Sequence, residues 1–127
     1  MAALDGTPGA GDTPASYTAL RHMESSALYI PGMPGDDDLE RWIWDYLYPP
    51  SRPSWSHTFA LPAPYAGDYP ALLRVAMFGY RQNPIDPDHH TQVYVNGTLV
   101  EDAWWDGITW RIAEIEVPQG LLLAGDN

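Results

Sequence analysis

Two groups of aspartates are the first candidates for chemistry, because carboxylate oxygens bind cations. Asp36, Asp37 and Asp38 are consecutive, and Asp86 and Asp88 lie on a later loop. Calcium takes about six to eight oxygen ligands, and loops of this kind can supply them. The first group is consecutive rather than alternating, so it does not match an EF-hand loop. We expect either a structural calcium site that pins these loops or, as is commoner for such runs, solvated turn residues.

Two adjacent histidines suggest a metal-dependent hydrolase. Asp88, His89 and His90 have the residue types of a phosphoesterase metal motif, but such a site also needs aspartates from other motifs at set positions. The tripeptide immediately precedes a β-strand pattern, in which successive side chains point to opposite faces. This favours a loop that enters a strand, with one histidine inward and the other outward. His22 and His57 are isolated, and no H-E-x-x-H spacing appears.

An alternating aromatic row is the third candidate. In a strand over residues 41–48, every second side chain would lie on one face, about 6.6 Å from the next. Exposed, such a row could stack against sugar rings or a partner surface; buried, it would form half of a sandwich core. We favour packing in the core or between domains over carbohydrate stacking. The members of the row are Trp42, Trp44, Tyr46 and Tyr48, and Trp104 and Trp105 could extend it.

Composition narrows the function classes. The chain of 127 residues has a formal net charge of −11 and contains neither lysine nor cysteine. A negative surface repels phosphate backbones and anionic lipids, so we expect no nucleic-acid partner and no binding to such membranes. The missing cysteines exclude thiol nucleophiles and disulfides, and the missing lysine excludes a phosphate-binding P-loop. No run of about 18 apolar residues is present to span a membrane.

The element that positions the histidines is a predicted β-hairpin. Asn96 and Gly97 lie between two alternating segments, and this pair is preferred in two-residue hairpin turns, whose central residues need positive φ. Such a turn sets the cross-strand pairs, which are Val95 with Thr98, Tyr94 with Leu99, Val93 with Val100 and Gln92 with Glu101. The valines would share the buried face, and Gln92 and Glu101 would point the other way. The alternating segment 71–79 would add a third strand to the same sheet.

Short alternating segments at a spacing of about 8 to 12 residues predict an all-β fold. The other predicted strands are 26–30, 41–48, 55–61 and 108–117, the last with Ala113, Ile115 and Val117 facing in. Residues 1–16 are rich in Ala, Gly, Pro and Thr and have the composition of a flexible linker or lead-in. Residues 17–127 would form a single antiparallel β-sandwich of jelly-roll type. Residues 125–127 would form a turn of the kind that leads into a further strand, so this sandwich would lack its final strand.

Four stretches of turn and core positions also share a pattern with a known family. They run from Gly35 through Asp36, Asp37 and Asp38 to Trp42 and Trp44, from Leu73 to Gly79, from His90 to Gly97 followed by Trp105 to Gly107, and from Val117 to Asn127. Together they resemble the β-sandwich accessory domain found beside the catalytic domain in large secreted bacterial proteins that carry gingipain-type cysteine peptidases. The similarity covers roughly residues 25–127 and concerns the fold.

This resemblance implies a non-catalytic accessory module of an exported multidomain protein, outside the cell or at its surface, packed against a neighbouring peptidase-like domain. The family's peptidase activity rests on a Cys/His pair in a separate domain, and this chain has no cysteine. We therefore expect neither an enzyme nor a cofactor beyond the calcium considered above. The alternative is a carbohydrate-binding module with polysaccharide as partner and Trp42, Trp44 and Tyr46 as its aromatic face. The N-terminus has no basic segment or apolar region, so it does not predict a signal peptide.

Overall fold

Strands of two lengths make up the part of the chain that the computed structural model describes, which is residues 15–34 and 41–127. The strands are β1 (Leu28–Tyr29), β2 (Trp42–Ile43), β3 (Ala60–Leu61), β4 (Ala71–Phe78), β5 (His89–Val95), β6 (Thr98–Trp105), β7 (Trp110–Val117) and β8 (Gly125–Asp126). A short 3-10 helix covers Gln119–Leu121, and within these ranges no helix has the length and hydropathy to cross a membrane. The predicted all-β class is confirmed. The predicted linker, residues 1–16, lies almost wholly outside the described residues.

The four long strands form two antiparallel pairs. β4 pairs with β7 along its whole length, from Ala71 opposite Val117 to Phe78 opposite Trp110; this pair is termed the ribbon. β5 pairs with β6 in the hairpin. The pairing is nested along the chain, because β5–β6 lies inside β4–β7 and β3–β8 lies outside both.

One aliphatic core lies between the ribbon and the hairpin. Its buried side chains are Val95 from the hairpin and Ala113, Ile115 and Val117 from β7. The inward side chains of β4 pack against them, because alternation along a strand puts every second residue on the same face. Two antiparallel layers around a shared core agree with the predicted β-sandwich. The predicted inward direction of the three β7 residues is confirmed.

The predicted two-residue turn of the hairpin is confirmed. Asn96 (φ 47°) and Gly97 (φ 79°) both adopt positive φ, as this turn requires. The two cross-strand pairs next to the turn also agree with the prediction. The side-chain amide of Asn96 donates to the carbonyl oxygen of Leu121 at 2.7 Å and to Oδ1 of Asn127 at 2.9 Å. The turn is thereby tied to the C-terminal segment.

Beyond those two pairs the predicted register is wrong, because a β-bulge interrupts the hairpin. Val93 lies opposite Glu101 rather than Val100, and every later pair is shifted by one residue of β6. Val100 joins the core, while Glu101 is half-buried and reaches Arg111 of β7 instead of pointing outward. A bulge inserts one residue into one strand, and turn chemistry does not predict it.

β4 does not extend the hairpin sheet, contrary to the prediction. Its backbone pairs with β7, and its inward Leu73, Val75 and Met77 meet the hairpin only across the core. The apolar face of a sheet needs a second layer to cover it. The hairpin supplies that layer, and this is why the two segments face each other rather than lie side by side.

The predicted strand over residues 41–48 is wrong for most of its length. Only Trp42–Ile43 form β2, which pairs with the two residues of β1. The chain then bends at Trp44, and two prolines follow at positions 49 and 50. A strand needs a partner of matching length, and alternation of side chains does not supply one.

Three further predicted segments contain only two-residue strands. The segment 26–30 is reduced to β1, and the segment 55–61 to β3. The predicted turn over 125–127 contains β8, which pairs with β3. Phe59 and Asn127 extend this pairing with backbone hydrogen bonds of 3.0 and 2.8 Å. Such segments pair through backbone groups, which a side-chain pattern does not reveal.

Candidate functional site

The outer face of the hairpin brings together aromatic and polar side chains from both strands. Alternation along β5 turns His90, Gln92 and Tyr94 outward. The shifted register places Trp104 opposite His90 and Asp102 opposite Gln92. All five side chains are exposed, and together they are termed the hairpin platform.

The rings of His90 and Trp104 stack across the two strands. Their centroids are 4.0 Å apart and their planes differ by 3°. Trp104 is nevertheless 63% exposed, so the imidazole covers one face of the indole and the opposite face is open to solvent. A cross-strand pair of this kind stabilises the sheet and holds both rings in one orientation.

Asp102 connects the polar members of the platform. Its Oδ1 lies 2.7 Å from Nε2 of His90, and its Oδ2 accepts a hydrogen bond of 2.6 Å from the Gln92 amide. The Tyr94 hydroxyl donates to Oε1 of Gln92 at 3.0 Å. The Gln92 amide, and after it the His90 ring, stabilise the ionised carboxylate and lower the pKa of Asp102. The carboxylate is thus held both charged and oriented.

The groups of the hairpin platform suit binding of a ligand. The open indole face is a flat apolar surface, and the row beside it offers hydrogen-bond donors and acceptors. His90 is covered on one side by Trp104 and bonded through Nε2 to Asp102. These two contacts give the imidazole a positioning role.

A second polar cluster lies at the start of the hairpin, around Asp88. The Asp88 side chain has no exposed area, and its carboxylate accepts hydrogen bonds from the backbone N–H groups of Asn83 (2.7 Å) and Gly107 (3.2 Å). Above all the bond from Asn83 lowers the pKa of Asp88, against the opposing effect of burial. The carboxylate therefore joins the loop before β5 to the turn after β6.

Asp106 lies beside Asp88 and has the opposite electrostatic character. Partial desolvation of its carboxyl, followed by repulsion from Asp86 and Asp88, raises its pKa. The remaining predicted calcium ligands lie outside the described residues: Asp36, Asp37 and Asp38. Within residues 15–34 and 41–127, no three metal-ligating side chains are arranged around one point. The calcium site stays a prediction.

The two adjacent histidines point to opposite faces of β5, as the alternation predicted. His89 is half-buried and packs against Trp105, with ring centroids 4.3 Å apart. Its Nε2 lies 3.2 Å from the carbonyl oxygen of Gly107, and a Cβ at Gly79 would come within 2.7 Å of the same nitrogen. Imidazoles on opposite faces of one strand cannot ligate one ion, so this geometry does not support a metal-dependent hydrolase at His89 and His90.

The predicted aromatic row is broken up, because β2 ends after two residues. Trp42 packs against Tyr29 of β1, with ring centroids 5.1 Å apart. Trp44 packs against Trp55 and His57 in the segment before β3, at 4.9 and 4.3 Å. The two tryptophans thus belong to separate clusters.

The two tyrosines of the row contact arginine side chains. The guanidinium of Arg52 lies 4.6 Å from the centre of the Tyr46 ring and forms an ion pair of 2.6 Å with Asp45. The guanidinium of Arg81 lies 5.3 Å from the ring of Tyr48. The members of the predicted row therefore do not present one flat face.

The predicted aromatic row does not form the core between the two layers, and its packing between domains stays a prediction. The buried residues of the core between the two layers are valine, alanine and isoleucine. The exposed tryptophans are Trp42, Trp55, Trp104 and Trp110. Branched aliphatic side chains fill the narrow space between two layers, whereas a large indole is seldom fully buried.

The hairpin platform as a unit was missed by the sequence reasoning. Asp102 and Trp104 continue the alternation beyond Glu101, and this continuation is the signal that could have extended β6. Even so, a register derived from the turn alone would have placed His90 opposite Ala103. The stacked pair depends on the bulge.

Comparison with known proteins gave no match. No protein-family model fits the chain, and none was found among curated proteins or solved structures. The resemblance to the accessory domains of gingipain-type peptidase proteins stays a prediction.

Proposed function

We propose that this chain is a non-catalytic accessory module of a longer exported protein and that it packs against a neighbouring domain of that protein. The pattern of strands and turns that resembles accessory domains of gingipain-type peptidase proteins supports this proposal. The nested strand pairing supports a jelly-roll type of sandwich within it. An extracellular or cell-surface location follows from the same proposal.

The observation that carries the proposal is the apolar outer face of the ribbon. Ile112 is 59% exposed, and its cross-strand partner is Ala76. In the next outward pair the exposed Trp110 packs edge-on against Phe78, with ring centroids 5.3 Å apart. These four residues are termed the ribbon face. Contiguous exposed apolar surface of this kind marks an interaction site.

Polar groups border the ribbon face on one side. Arg74 and Glu114 form an ion pair of 2.8 Å across the strands, and the exposed Leu72 follows beyond it. An apolar centre with a polar border is the usual build of a protein–protein contact. The net charge of −11 selects against polyanionic partners, so a folded protein domain is the occupant that we propose.

Thermal unfolding of the chain, alone and in a longer fragment with its neighbouring domain, tests the proposal. We expect a higher unfolding temperature in the longer fragment, because a bound neighbour stabilises the folded state. Ile112→Glu should remove most of that gain while changing the isolated chain little, since the side chain is exposed. Leu99→Glu, on the outer face of the hairpin, is the matched control and should keep the gain. Equal unfolding temperatures in the two settings would contradict the proposal.

Carbohydrate binding is the second candidate function, and the exposed indole of Trp104 favours it. The aromatic face predicted from the sequence does not form a flat row, whereas the hairpin platform combines an open ring with hydrogen-bonding groups. Retardation of the chain in native gels that contain soluble neutral polysaccharides tests this candidate. Unchanged migration with all of them would count against it.

A further inference from the structure

We propose that the hairpin platform binds a neutral carbohydrate, with a sugar ring on the open face of Trp104 and its hydroxyl groups bonded to Asp102. This inference rests on the second candidate function, carbohydrate binding, and assigns it to residues on β5 and β6. The site therefore lies on a different element from the aromatic row that the sequence predicted.

The open indole supplies the apolar part of the site. One face of Trp104 is covered by His90 and the other is exposed, with 63% of the residue accessible. The C–H face of a pyranose ring is flat and apolar, so it can lie against an aromatic ring while its hydroxyl groups project outward. Because His90 covers one face, the indole is held in one orientation before binding. Less side-chain conformational entropy is therefore lost when the sugar binds.

The polar part of the site lies beside the ring on the same face. Asp102 is two residues before Trp104, which places it about 6.6 Å away along the strand. Each carboxylate oxygen of Asp102 already accepts one hydrogen bond, and a carboxylate has about four acceptor positions in total. Two positions therefore remain for sugar hydroxyl groups. Tyr94 is four residues from His90 along β5, about 13 Å away, so its hydroxyl is within reach of the next unit of a polysaccharide and not of the ring on Trp104.

The charge of the site selects a neutral ligand. Asp102 is negative and the chain carries a net charge of −11, so sulfated or uronic polysaccharides and nucleic acids are repelled. A basic peptide is the rival ligand, because an arginine could stack on Trp104 and pair with Asp102. The platform favours a polyhydroxyl compound, since Asp102 is already bonded to His90 and Gln92 and the row mixes donors with acceptors.

Binding is measured by native-gel retardation with hydroxyethyl cellulose, galactomannan and arabinoxylan, followed by a fluorescence titration with the polysaccharide that retards most. We expect at least one of the three to bind the unaltered chain. Trp104→Ala should weaken that binding at least about tenfold, as is usual for a central tryptophan, and Asp102→Asn should weaken it several-fold. Trp55→Ala removes an exposed tryptophan outside the platform and should bind like the unaltered chain. Far-UV circular dichroism checks that each variant is folded.

The outcomes distinguish a failure of the proposed site from a failure of carbohydrate binding itself. Polysaccharide binding that survives Trp104→Ala and is lost in Trp42→Ala would overturn the proposed site while leaving carbohydrate binding intact. Binding to none of the three polysaccharides would overturn both the proposed site and carbohydrate binding. Binding to poly-arginine alone would do the same, because it would identify a basic peptide as the ligand. Loss of binding in Trp104→Ala together with retention in Trp55→Ala supports the proposal.

Discussion

The outer faces of the hairpin and the ribbon differ, although both are two-stranded antiparallel sheets that cover the same core. On the hairpin, Trp104 is backed by His90 and bordered by the hydrogen-bonded Asp102. On the ribbon, Ile112 and its neighbours form an apolar patch. The same alternation produces both faces, because the core takes every second residue and leaves the others free to differ. In this small sandwich the inward residues specify the fold, and the outward residues carry the proposed functions.

The ion pairs of the two layers make the same contrast. Arg111 donates two hydrogen bonds, of 3.1 and 2.7 Å, to the carboxylate of Glu101, and the two side chains are only 20% and 19% exposed. The Arg74–Glu114 pair lies on the outer face of the ribbon and is mostly exposed. Four tests, ordered from the largest expected effect to the smallest, examine the inward and outward positions of the two layers.

The sharpest contrast is between two isoleucines of β7. Ile115→Ala should lower the free energy of unfolding by about 2–4 kcal/mol, because it removes buried methylene groups and leaves a cavity between the layers. Ile112→Ala, on the same strand but exposed, should cost less than about 1 kcal/mol. Urea unfolding followed by circular dichroism measures both. Equal losses would show that β7 does not separate an inner face from an outer one.

The junction between the two layers is tested by a glycine. In Gly79→Ala the new Cβ would clash with the backbone carbonyl oxygen of Gly107 and with the His89 imidazole, so we expect a loss of about 1–3 kcal/mol in the free energy of unfolding. Gly120→Ala is the control, since a Cβ there has no neighbour within 4 Å. Urea unfolding compares the two variants. A Gly79→Ala protein as stable as the Gly120→Ala protein would contradict the close approach of Gly79 to Gly107 and His89.

Removal of each arginine tests the two ion pairs. Arg111→Ala should lower the free energy of unfolding by about 1–2 kcal/mol, since a charge-assisted pair is lost and Glu101 is left half-buried without its partner. Arg74→Ala should cost at most about 0.5 kcal/mol, because exposed ion pairs contribute little. Denaturant midpoints at low and high salt give both values. A larger loss for Arg74→Ala would reverse the assignment of inner and outer faces.

The smallest expected effect concerns pH and the outer face of the hairpin. The Gln92 amide and the His90 ring lower the pKa of Asp102 in the folded chain, so this residue adds stability above its unfolded pKa of about 3.9. That contribution is lost as the pH falls through the folded pKa. Urea unfolding between about pH 3 and 6 should therefore show a shallower loss of stability on acidification in Asp102→Asn than in the unaltered chain. Identical slopes would mean that the three side chains do not form this network.

The sequence was sufficient for those parts of the fold that depend on local chemistry. Asn96 and Gly97 specify the turn because few other residues adopt positive φ at both positions, and the alternation over 108–117 identifies the inward residues of β7. The bulge at Val100 was not predictable from the turn, and it coincides with the inward direction of Glu101, which bonds to Arg111 of the ribbon. The strand predicted over residues 41–48 was wrong for a related reason. Its side chains alternate clearly between aromatic and non-aromatic, but β1 offers only two residues for pairing.

The candidate site followed the same rule. His89 and His90 were correctly expected on opposite faces, because alternation within one strand is local. The stack of His90 on Trp104 is a contact between strands and depends on the shifted register. The predicted aromatic row that begins at Trp42 does not form, because alternating residues lie on one face only where a strand forms.

Amide hydrogen exchange, measured on the chain alone and in a longer fragment with the proposed neighbouring domain, tests the central claim most directly. That claim is that the ribbon face packs against the neighbour while the hairpin platform stays free. We predict slower exchange in β4 and β7 of the longer fragment and unchanged exchange in β5 and β6. Slower exchange in β5 and β6 with none in the ribbon, or no difference between the two proteins, would contradict the account.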